Sequence, residues 1–77
     1  MMDINYFIEK FADQFEETDL SVFQSETIFK ELDEWSSLVA LGIIAMVDEE
    51  FEIEISGNEI RNATTIKDLF DIVSNKK

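Results

Sequence analysis

Two kinds of side chain in this sequence could do chemistry: the adjacent hydroxyls of Ser36 and Ser37, which immediately precede the apolar run Leu38 to Val47, and eighteen carboxyls. A serine becomes a nucleophile when a neighbouring base, most often histidine, takes its proton, and the chain has no His. It also has no Cys, which excludes disulfides, thiolate metal sites and a cysteine nucleophile. Self-contained catalysis is not expected, and no catalytic residue is assigned. The acids between Asp48 and Glu54 lack the Asp-x-Asp-x-Asp-Gly spacing of a calcium loop. They fall on a predicted helix and connector, so no metal site is assigned and only loose, nonspecific divalent binding is expected. Trp35 is read as a core-edge packing residue, the usual place of a lone Trp in a small domain, and carries no site.

Those hydroxyls and acids must be held by a single modest core. A chain of 77 residues buries only roughly 60% of its unfolded surface, so residues 1–77 are read as one domain. Hydrophobic residues make up 45%, with seven Phe, enough apolar surface for a packed interior. Ile4, Phe7, Ile8, Phe11 and Phe15 recur at helical spacing and predict an amphipathic first helix. From Glu17 to Trp35 no clean period persists, which predicts a long ordered loop with room for one helical turn, pinned by Leu20, Val22, Phe23, Ile28, Phe29 and Leu32. A second helix follows through Phe51, with the pair Ser36 and Ser37 standing where its N-cap belongs.

Phe51-Glu52-Ile53-Glu54-Ile55 alternates like a strand but has no partner strand, and is read as an extended connector with Phe51, Ile53 and Ile55 turned inward. Ser56-Gly57-Asn58-Glu59 has the form of a capping box and opens a short third helix through Arg61. Thr64 or Thr65 caps a last helix with Ile66, Leu69, Phe70 and Val73 on one face. The fold class is all-α, a small four-helix bundle with a long loop between helices 1 and 2 and a short third helix.

On the second helix, steps of about 100° from Ser37 gather Ala40, Ile43, Val47 and Phe51 on one arc, the core face. Ser37, Asp48 and Glu49 fall on the opposite arc and face water. Leu38, Leu41 and Ala45 share that exposed arc, so an apolar strip rimmed by acids runs beside the serine and suggests a docking surface. Between Lys30 and Arg61 there is no base, whereas Glu31, Asp33, Glu34, Asp48, Glu49, Glu50, Glu52, Glu54 and Glu59 are all acidic. With a net charge of −12, the chain would steer a basic partner to this region and does not suit nucleic acid. The N-terminal Met1-Met2-Asp3-Ile4 carries an acid where a secretory signal needs bases, and the longest apolar run is far short of the roughly 20 residues that span a bilayer. The chain reads as cytoplasmic, with no membrane span.

At these residues the sequence resembles the acyl and peptidyl carrier proteins, whose Asp-Ser-Leu at the start of the second helix stands here as Ser36-Ser37-Leu38. The likeness continues through Asp48-Glu49-Glu50-Phe51-Glu52-Ile53-Glu54-Ile55 to Thr64-Thr65-Ile66-Lys67-Asp68-Leu69, and is weakest over residues 17–28. It implies an acyl-carrier bundle, monomeric, that a phosphopantetheinyl transferase modifies on Ser37 using coenzyme A and a divalent metal. The 4′-phosphopantetheine arm would hold acyl or aminoacyl groups as thioesters, and with Ser37 so assigned Ser36 is left as the helix cap. Leu38, Leu41, Ala45, Asp48 and Glu49 would meet basic patches on acyl-transferring or synthase enzymes of fatty-acid, lipid or secondary-metabolite biosynthesis. The absence of Cys and His agrees with this, since the arm would bring the sulfur and the transferase the base.

The usual acid before the modified serine is Ser36 here, and the usual Gly two residues earlier is Glu34. These departures favour a carrier of a dedicated pathway, or a second carrier, over the main fatty-acid carrier. The alternative from a different class is an unmodified acidic helical adaptor that binds a basic protein through Leu38, Leu41, Asp48 and Glu49.

Overall fold

The computed structural model describes residues 3–76; Met1 and Met2, which enter the reading of the N-terminus, lie outside them. Asp3 caps α1 (Ile4–Ala12), its side chain accepting the Asn5 amide hydrogen at 2.9 Å. Phe7 and Phe11 are fully buried, Ile4 and Ile8 half-buried. The helix stops three residues before Phe15, which a following turn still delivers to the core, with its amide donating to the Ala12 carbonyl at 3.0 Å.

The expected long loop holds two short 3₁₀ turns, Leu20–Val22 and Phe29–Glu31, one more than the sequence suggested. Three-residue turns are too short to leave a helical period; the first is set by Asp19, which accepts the Ser21 amide hydrogen at 2.9 Å. Aromatic contacts order the loop. The Phe11 ring lies 5.3 Å from Phe29 and 6.3 Å from Phe23, and Phe15 lies 4.9 Å from Phe23. Between the two turns the loop accepts two amides of the last helix, Ile66 to the Thr27 carbonyl at 3.1 Å and Lys67 to the Ser25 carbonyl at 2.9 Å.

α2 (Ser37–Phe51) buries Ile43, Val47 and Phe51 as the helical phase predicts, and Met46 as well. Ala40, assigned to the core face, is only half-buried, because it borders an open cleft described below. Glu52 ends the helix in the left-handed region (φ 58°, ψ 40°), its amide bonding the Asp48 carbonyl at 2.9 Å. Residues 53–55 are non-helical with Ile53 and Ile55 buried, as the alternation required.

The Ser56 capping box is complete: the Glu59 amide donates to Ser56 Oγ at 3.2 Å and the Ser56 amide to Glu59 Oε1 at 2.9 Å. It opens α3 (Gly57–Asn62), which buries Ile60 and runs one residue beyond Arg61. Thr65, rather than Thr64, caps α4 (Ile66–Asn75) through a second capping box with Asp68. Ile66, Leu69 and Val73 are buried there, and Phe70 is half-buried with its ring 5.5 Å from Phe7. The described residues thus form an all-helical arrangement of four α-helices around one aromatic-rich core, with no strand. None of these helices is long and apolar enough to cross a membrane.

Candidate functional site

Trp35, Ser36 and Ser37 make the junction between loop and α2, and each has a separate job. The Trp35 ring packs 5.0 Å from Phe29 and 6.3 Å from Phe15, half-buried at the core edge as expected, so the approach to the helix is fixed from below. Ser36 adopts extended backbone (φ −157°, ψ 170°) and its Oγ accepts the Val39 amide hydrogen at 3.2 Å, making it the N-cap. Ser37 is then the first helical residue. It is exposed, and among the described residues its hydroxyl makes no hydrogen bond. The one serine is occupied by helix capping, while its neighbour offers a free oxygen at the positive end of the helix dipole.

The five residues assigned to docking are all exposed. Leu38 keeps 78% of its surface and Leu41 62%, unusual values for leucines inside a helix whose next turns are core, and Ala45, Asp48 and Glu49 are open to solvent with them. Leu41, Ala45 and Asp48 border one shallow depression with Ile44, Glu54 and Ile55. Leu38 borders another on the α1 side, with Asp13, Gln14, Glu16 and Glu34. The strip therefore crosses the exposed face of α2 obliquely, acids standing along both of its edges. Among the described residues no group of three or more carboxylates is arranged to hold a metal ion.

Glu34 supplies the rigidity beneath the junction. Its carboxylate accepts the amide hydrogens of Glu16 at 2.7 Å, Glu17 at 3.1 Å and Thr18 at 2.9 Å, and the Thr18 hydroxyl at 2.7 Å. The Thr18 hydroxyl, with the three amides, holds this carboxyl below the ordinary carboxylate range, against a smaller opposing effect of desolvation. A glycine could not make this clamp, which ties the first part of the loop after α1 to the residues just before α2.

Sequence reasoning missed one element of the site. A cleft of about 410 Å³ opens beside Ser37, lined by Trp35, Ala40, Leu41, Ile44 and Ile60, with Lys30 and Arg61 at its rim. Its walls come from the loop, α2 and α3, so no local pattern announces it. The available signal was the pair of bases that bracket the base-free stretch: Lys30 Nζ donates to the Arg61 carbonyl at 2.7 Å, closing a gap of 31 positions.

Comparison of the chain with protein-family models, curated proteins and solved structures found no match.

Proposed function

We propose that this chain is an acyl carrier, modified on Ser37 with 4′-phosphopantetheine and passed between enzymes that load and unload it. The observation that carries the reading is the division of labour at the start of α2: Ser36 caps, and Ser37 presents an unbonded hydroxyl above an exposed Leu38–Leu41–Ala45 strip edged by Asp48 and Glu49. The residues present fit the arm. An exposed serine at a helix N-terminus leaves room for a phosphodiester, which the helix dipole would favour by about 0.3–1 kcal/mol. When attached, the arm supplies the thiol that holds cargo as a thioester, chemistry for which this chain has no sulfur nucleophile of its own.

The chain's own residues do the rest. Ser37 Oγ would form a phosphodiester with the phosphopantetheinyl group of coenzyme A as the pyrophosphate linkage breaks and adenosine 3′,5′-bisphosphate leaves, the serine proton passing to the transferase, since the chain has no histidine to take it. Leu38, Leu41 and Ala45 desolvate against the partner, and Asp48 and Glu49 orient its basic patch. The unmodified adaptor is the second reading; Ser36, in the place of the carriers' usual acid, is the feature that favours it. Incubation with coenzyme A, magnesium and a broad-specificity phosphopantetheinyl transferase separates the two, because only a carrier gains the mass of one phosphopantetheine.

A further inference from the structure

The cleft beside Ser37 combines features that select different parts of one ligand. Its floor is apolar, with Ile60 buried and Ala40, Ile44 and Trp35 half-buried, so it takes a hydrocarbon body. Its rim is basic in a chain with eighteen acids and six bases. The bases are not evenly spent. Lys67 pairs with Asp71 at 3.0 Å and Lys76 with Glu59 at 2.9 Å. Lys30 and Arg61 are in no ion pair among the described residues; Lys30 lies over the Phe29 ring and donates to the Arg61 carbonyl, and the Arg61 guanidinium donates to Asn58 Oδ1, all neutral partners. Two cations with no ion-pair partner among the described residues, 31 positions apart in sequence, thus line one apolar cleft of a chain whose net charge is −12. Nothing about solubility needs cations there, and a neutral hydrocarbon would not use them.

We propose that this cleft binds an aliphatic chain that ends in a carboxylate, the hydrocarbon lying on Ala40, Ile44 and Ile60 and the carboxylate meeting Lys30 and Arg61. Where the carrier reading of Ser37 holds, on which this clause rests, the cargo class is an acyl group with a second, free carboxylate at its far end. Charge complementarity selects it: a guanidinium and an ammonium together offer charge-assisted hydrogen bonds to a carboxylate that an alcohol or methyl terminus forgoes.

Trp35, the chain's single tryptophan, lines the cleft and reports on its contents. The unmodified full-length chain is titrated with octanoate and with octanol, below the micelle concentration, following Trp35 emission. Because binding is read on unmodified protein, the outcome is independent of whether Ser37 accepts an arm. Octanoate is expected to give a saturable change and to bind about ten-fold more tightly than octanol, despite repulsion from the chain's net charge. Arg61→Gln is expected to erase that preference while leaving octanol binding intact, which also shows the cleft still folded. Lys67→Gln, which removes the same charge from α4, is expected to keep the preference. Octanol binding as tightly as octanoate, no saturable response to either, or a preference that survives Arg61→Gln would overturn the proposal.

Discussion

Glu34 Oε1 accepts both the backbone amide of Thr18, at 2.9 Å, and its hydroxyl, at 2.7 Å, across 16 positions of sequence. Because these bonds favour the charged form, the carboxyl titrates below its ordinary range in the folded state. A depressed folded value stabilises at pH above the unfolded value and loses that contribution as pH falls through the folded one. Glu34→Gln is therefore expected to lower the melting temperature near neutral pH, with the gap to wild type closing as pH drops below about 4. Melting curves in roughly 0.5 M salt, which screens the change in net charge, check this. A gap of constant size down to pH 3 would mean that the carboxylate charge is irrelevant to the clamp.

The two faces of α2 should respond oppositely to truncation. Ile43 is fully buried and Phe51 nearly so, and Ala at either should cost about 2–5 kcal/mol. Leu41, 62% exposed, should lose less than about 0.5 kcal/mol in Leu41→Ala. Chemical denaturation measures all three, and a Leu41 loss in the range of Ile43 would contradict the helical phase.

Glu52 is the one non-glycine residue with positive φ among those described. An L side chain in that region is disfavoured by about 1–2 kcal/mol, of which glycine's greater unfolded-state entropy returns part. Glu52→Gly should stabilise the chain by about 0.5–1 kcal/mol, a rise of a few degrees in melting temperature. Glu52→Gln removes the same charge but keeps the strain, so it should recover none of the conformational part.

Self-repulsion among eighteen acids opposes compaction, and exposed charges beyond about 10 Å are screened at 0.1 M salt. Raising salt, or adding a few millimolar magnesium, should increase the melting temperature. A transition indifferent to both would show that the acids repel one another too little to matter.

What the sequence disclosed and what it withheld divide by range. Ser36 as the cap, the Ser56 box, and the inward Ile53 and Ile55 all follow from contacts within four residues, and all were legible. Met46 was not, because a single-wheel reading drew the buried arc too narrowly; it lies three residues after Ile43 and shares its side of the helix. The choice between Thr64 and Thr65 was not legible, because Asp68 accepts from both amides at 3.1 and 3.0 Å and only its own amide, donating to Thr65 Oγ1 at 3.1 Å, singles out the cap. The Glu34 clamp and the Lys30–Arg61 rim were invisible for a different reason. Their partners lie 16–18 and 31 positions away, so the tertiary packing of the loop against the helices brings them together.

The carrier reading itself is tested most directly by the intact mass of three proteins after incubation with coenzyme A, magnesium and a broad-specificity phosphopantetheinyl transferase: wild type, Ser37→Ala and Ser36→Ala. Ser36 is about 100° out of phase with Ser37 and its oxygen is taken by the Val39 amide, so it is an internal control for hydroxyl chemistry at this helix start. Wild type should gain one phosphopantetheine, Ser37→Ala none, and Ser36→Ala should keep the gain while losing about 1 kcal/mol of stability with its cap. If wild type stays unmodified by transferases that load other carriers, even as Ser36→Asp with the usual acid restored, Ser37 is no attachment site and the unmodified adaptor is the better account.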